Sequence, residues 1–204
     1  VPYTFEERFN ESDGSAEGWN ETNGAWIVQN GAYIQTANAS SDTNAITMVK
    51  NNSYWNDYTT SLRFNVVGAN ANARVYVRYD SASRYYLLNI SSDGSFAFYK
   101  NNGTMTNITD ASPNMITLST DTWYTLNITA RENRIEAEIG GVGRINATDI
   151  ADTIKGGTIA LGTFRSSSRF DDVAVYHQDG GNKGCVYYFK REWPVGTQSP
   201  GTYR

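Results

Sequence analysis

Apolar and polar residues alternate with a period of two along run after run of this chain, and no run keeps a helical period for long. Residues 58–67 send Leu62, Phe64 and Val66 one way and Arg63 and Asn65 the other. Residues 122–130 repeat the pattern, with Tyr124, Leu126 and Ile128 inward and Thr125, Asn127 and Thr129 outward. Successive side chains of a strand point to opposite faces, so this alternation predicts half-buried strands. Further candidates are 2–9, 46–49, 73–79, 84–90, 96–100 and 134–139, together with 25–28 and 32–36 around the turn dipeptide Asn30-Gly31. The loop 10–18 and the turn Gly140-Gly141-Val142-Gly143 punctuate them. More than ten short strands without a long helix predict an all-β sandwich or barrel, and 204 residues are enough to bury its core.

Two runs carry most of the chemical information. Pairing Tyr79 with Arg84 puts Val75, Val77, Tyr86, Leu88 and Ile90 on one face and Arg74, Tyr76, Arg78, Tyr85, Leu87 and Asn89 on the other. A slip of one residue would mix the two sets. Aromatic rings stack on sugar faces and Arg forks grip hydroxyls or carboxylates. Arg74, Tyr76, Arg78 and Tyr85 are therefore candidate saccharide ligands, and an ordinary solvent face is the alternative. Asn89 begins a glycosylation sequon on the same face, and a glycan there would fill the groove.

The second run is 156–176, GGTIALGTFRSSSRFDDVAVY, two strands with the acidic pair Asp171-Asp172 opening the second. It resembles the closing strands of the concanavalin A-like lectin/glucanase (LamG-like) jelly rolls. TFEERFNESDGSAEGWN and GAWIVQNGAYIQTA resemble the way those domains open, and the resemblance spans residues 3–177. It implies an antiparallel β-sandwich of the jelly-roll type over 1–179, with 180–204 as a C-terminal strand-like extension. It also implies a structural Ca²⁺ held by Glu7, the carbonyl of Gly31 and Asp171, an all-oxygen set that suits this ion. The alternative is that Asp171 and Asp172 pair with Arg165 or Arg169 across the turn.

The same resemblance covers enzymes. The glucanases place acids at alternating strand positions, and Glu136 and Glu138 come nearest, without the Asp between them. Two solvated charges on an outer face are the better explanation of that pair. Tyr188-Phe189-Lys190 resembles a motif of alginate lyases but continues differently, the companion Gln-X-His is missing, and His177 is the sole histidine. No catalytic residue and no catalytic cofactor is assigned; a polysaccharide lyase or glycosidase ranks third among the readings.

The net charge of −4 is mild, and scattered Lys and Arg argue against a nucleic-acid partner. No apolar run is long enough to span a bilayer. The chain starts at Val1, as a form trimmed by signal cleavage or by cloning would. Nine sequons begin at Asn10, Asn20, Asn38, Asn51, Asn89, Asn102, Asn107, Asn127 and Asn146, against about four expected by chance. They predict an N-glycosylated protein, extracellular or at the cell surface.

After the flexible stretch 179–184 comes CVYYFKREW, with Cys185, Val186, Tyr187, Tyr188, Phe189 and Trp193. The lone Cys185 reads as a small buried apolar residue. A closed jelly roll does not need this strand, which can complete the sheet edge of a neighbouring copy and build a filament, or fold back on its own sandwich. The leading expectation is thus a non-catalytic, self-associating structural or adhesive glycoprotein, and the second is a lectin-like, polysaccharide-binding module.

Overall fold

Two antiparallel sheets packed face to face account for the alternation. The structure, a computed structural model, describes residues 5–36, 44–50, 54–110, 115–151 and 153–177. Among them lie fifteen strands and no helix. They are β1 (Phe5–Glu7), β2 (Trp19–Asn23), β3 (Trp26–Gln29), β4 (Ala32–Gln35), β5 (Asn44–Val49), β6 (Tyr58–Val67), β7 (Asn72–Ser81) and β8 (Arg84–Ser91). They continue as β9 (Phe96–Asn102), β10 (Met105–Asn107), β11 (Trp123–Arg131), β12 (Arg134–Ile139), β13 (Gly143–Thr148), β14 (Thr158–Phe164) and β15 (Ser167–His177). One sheet runs β13-β12-β11-β6-β15-β4-β3, with β1 added on β15; the other runs β10-β9-β8-β7-β14-β5-β2.

The inward sets meet in one core. Leu62, Phe64, Leu126, Ile128, Ile135, Ile139 and Phe170 face Val75, Val77, Tyr86, Leu88, Phe98, Ile159 and Leu161. At about 25 cal/mol per Å² of apolar surface removed from water, this burial is the main force holding the sheets together. Asn30 and Gly31 both take positive φ, 52° and 72°, as the two-residue turn between β3 and β4 requires.

Several expectations need correction. The strand expected over 2–9 is Phe5–Glu7 within the described residues. β2, β10 and β13 carry too little alternation to be read in advance: β2 buries Trp19 alone, and β10 is exposed throughout. The β7–β8 register holds from Ala73↔Ile90 to Val77↔Tyr86, then shifts, so that Ser81, not Tyr79, faces Arg84. The cause is a bulge at Arg78, whose φ is 48°. A second bulge, with Asp172 at φ 49°, lies where β15 exchanges β4 for β1 along one edge. The extension 180–204, with Cys185, Val186, Tyr187, Tyr188, Phe189 and Trp193, lies outside the described residues, as do Asn38 and Asn51.

Candidate functional site

The outer face of the seven-stranded sheet is apolar where a solvent-washed face would be polar. Tyr76, Tyr79, Tyr85, Leu87 and Ala160 are buried there, with Ile46, Met48 and Tyr99 packed against them. Register explains the grouping: Tyr99, Leu87, Tyr76, Ala160 and Met48 form one row across β9, β8, β7, β14 and β5. Tyr79 and Tyr85 stack at 5.4 Å with 9° between planes, and Tyr76 meets both edge to face. Burial pushes the Tyr76 hydroxyl far above its ordinary pKa, so this ring stays neutral.

Of the four residues expected on this face, Arg74, Tyr76 and Tyr85 are there and Arg78 is not. Arg74 donates to Asn89 Oδ1 at 3.0 Å and lies over the Phe164 ring at 4.7 Å. The bulge turns Arg78 into the interior, where it is 1% exposed, and brings Tyr79 to the outer face in its place. There Arg78 donates to the carbonyls of Asn56, Glu132 and Ile154 and to Asp57 Oδ1, at 2.7–2.9 Å. Tyr58 accepts its backbone N–H at 2.7 Å.

Beside the tyrosines a cleft of about 700 Å³ opens over β2, β5 and the β7–β8 turn. Its walls are Asn20, Thr22, Met48, Lys50, Tyr54, Tyr79, Asp80 and Thr158. Tyr54 is 59% exposed, whereas Tyr79, in the same lining, is 6% exposed and fixed by its stack on Tyr85. Thr158 Oγ1 is buried without a hydrogen-bond partner. Among the described residues Asp80 is the one carboxylate in this lining, and it lies 3.6 Å from Arg84 Nε. The cleft thus offers an apolar floor, an exposed ring and hydroxyl, amide, ammonium and carboxylate groups at the rim. That combination suits a ligand with an apolar face and a hydroxylated edge. Sequence reading missed Tyr54 and Met48, because Tyr54 lies between strands and Met48 belongs to a run with no marked polarity.

A second, polar cleft of about 550 Å³ sits at one end of the sandwich, lined by Asn56, Asp57, Arg78, Glu132, Asp149 and Lys155 among others. Its charges are largely tied up. Asp149 accepts from Tyr86 at 2.6 Å and pairs with Lys100 at 2.8 Å. Burial pushes Asp149 up, but the hydrogen bonds from Lys100, Tyr86 and the Ala151 amide hold it below the usual carboxylate range.

The other expected site residues are dispersed. Glu7 faces Val173, and its Oε1 accepts from the amides of Arg8 and Phe9. Asp171 pairs with Arg63 on β6 at 3.1 Å, not with Arg165 or Arg169, and accepts the Asp172 amide. Burial raises the Asp171 carboxyl above its ordinary value. Gly31 sits in the β3–β4 turn. No group of three His, Cys, Asp or Glu among the described residues could hold a metal ion. The carboxylates of Glu7 and Asp171 are thus each engaged by protein donors. Glu136 and Glu138 bond to Arg134 and Arg144. Among the sequons, Asn10, Asn20, Asn102, Asn107 and Asn127 are exposed, while Asn89 and Asn146 are half-buried and bonded to Arg74 and Asp110.

Comparison with known proteins adds the following. The family model described as a 3-keto-alpha-glucoside-1,2-lyase-like domain matches residues 4–176. No curated protein matches the sequence. Among solved structures, the carbohydrate binding module CBM66 from Bacillus subtilis is similar, with a TM-score of 0.65 and 19% identity over 78% of this chain and 95% of that one. A protein of unknown function with a galectin-like fold, also from Bacillus subtilis, has a TM-score of 0.61 and 11% identity over 78% and 89%. The Bacillus licheniformis beta-glucanase has a TM-score of 0.57 and 11% identity over 86% and 98%. At these identities the structures share the jelly-roll fold with this chain.

Proposed function

Because this chain belongs to the 3-keto-alpha-glucoside-1,2-lyase-like domain family, we propose that carbohydrate is its ligand, held without cleavage in the cleft beside the tyrosine cluster. The observation that carries this is Tyr54, 59% exposed in the lining of a cleft it shares with Met48 and Tyr79. An exposed ring at a cleft mouth can stack on the apolar face of a sugar, and the rim groups Asn20, Thr22, Lys50 and Asp80 can bond its hydroxyls. Binding is preferred to hydrolysis because glycosidases generally use two carboxylates across the scissile bond, and among the described residues the lining holds Asp80 alone. A carbohydrate module of this kind fits an extracellular location, and the exposed sequons fit it too. A glycan on Asn20 would stand at the rim of the cleft, so this reading needs Asn20 unmodified.

The test is a polysaccharide and glycan array followed by calorimetry on the hits. Tyr54→Ala should weaken binding about 10–100-fold with an unchanged circular dichroism spectrum. An array without hits, or release of reducing ends from a bound polysaccharide, would overturn the proposal.

A further inference from the structure

The eight-stranded sheet has its own outer face, and one row across it is unlike the rest. Trp123 on β11, Asn65 on β6 and Arg169 on β15 stand directly opposite one another in register. All three point away from the core, since their neighbours Phe64 and Phe170 point into it. Asn65 is 1% exposed, and its Oδ1 is buried with no hydrogen-bond partner. Buried amides are almost always satisfied, so this one calls for an explanation. Arg169 is half-buried, and its side chain makes no hydrogen bond or ion pair among the described residues. Trp123 is partly exposed, and the Arg63 guanidinium lies 4.8 Å from its ring centroid. Arg63 is held there by Asp171 at 3.1 Å and Asp172 at 3.6 Å.

We infer that Trp123, Asn65 and Arg169 form a second saccharide site, on the face opposite the cleft, for a neutral pyranoside. Ring, amide and guanidinium supply what such a ligand needs: an apolar platform, one group that both donates and accepts, and a fan of donors. The charges decide the class. Arg63 and Arg169 are balanced by Asp171 and Asp172, so an acidic polymer gains no net attraction, and the whole chain carries −4. The Asn65 oxygen, closed off from solvent in the free protein, finds its partner in a ligand hydroxyl once the side chains that cover it move aside. With the cleft, this site would make the domain bivalent, able to bridge two chains of one polysaccharide.

Trp123 supplies the readout. Trp19, Trp26 and Trp55 are buried. In a Trp193→Phe background, iodide quenching of tryptophan fluorescence therefore reports mainly on Trp123. The probes are laminarin, dextran, arabinoxylan, galactomannan and soluble starch, with polygalacturonate as the acidic arm. At least one neutral polymer should protect Trp123, and Arg169→Ala should weaken that protection at least tenfold. Asn65→Leu should abolish protection while raising Tm, because it removes a polar atom that the fold leaves unsatisfied. Tyr54→Ala should leave protection unchanged, which separates this site from the cleft. Absence of protection by every neutral polymer, protection by polygalacturonate alone, or protection indifferent to Arg169→Ala and Asn65→Leu would overturn the inference.

Discussion

Arg78 sits at a position only 1% exposed, and its side-chain hydrogen bonds end on three different stretches of chain. Its guanidinium ties Asn56 and Asp57 before β6, Glu132 in the β11–β12 turn and Ile154 before β14. Alternation alone assigns Arg78 to the outer face with Arg74 and Tyr76. One residue at φ 48° reverses that assignment, and no local sequence signal marks a bulge at an Arg. The same reversal delivers Tyr79 to the cleft, so a site residue there could be found only from the structure. Arg78→Met should cost about 3 kcal/mol, since it leaves the buried Ile154 carbonyl and the part-buried bonds to Asn56 and Glu132 without this donor. Urea unfolding of the variant checks this; a loss under about 1 kcal/mol would mean that water replaces the guanidinium.

Elements were legible to the degree that both faces of a strand differ. β6 and β12 run from the first to the last residue expected, because each pairs an apolar inward set with a polar outward one. β13 escaped because only Ile145 and Ala147 mark its inner side after a glycine-rich turn. Its downstream connection is anchored by Asp149, which joins it to β8 through Tyr86 and to β9 through Lys100. A carboxyl held low in the folded state contributes stability that is present above its unfolded pKa, near 4, and lost as pH falls through the lower folded value. Asp149→Asn should therefore destabilise by about 2 kcal/mol at pH 7. The gap to wild type should narrow by pH 2.5. Urea titrations at both pH values measure it, and an equal gap at both would remove Asp149 from the acid sensitivity of the fold.

At the scale of the whole molecule, the sandwich presents two dissimilar outer faces. The seven-stranded sheet carries a tyrosine cluster and a cleft; the eight-stranded sheet carries paired charges, threonines and the Trp123 row. Sequence reading placed saccharide recognition on the sheet that carries the proposed cleft, through Tyr76 and Tyr85. It missed that both rings are buried and serve as support for Tyr79, because a strand pattern shows which side a residue faces but not what packs on it. Amide chemical-shift mapping on the full ¹⁵N-labelled chain, titrated with the strongest saccharide from the array, tests carbohydrate recognition at the cleft most directly. The account expects the largest shifts at Asn20, Met48, Lys50, Tyr54, Tyr79 and Asp80. Shifts confined to the polar cleft around Asp57, Glu132 and Asp149 would contradict it.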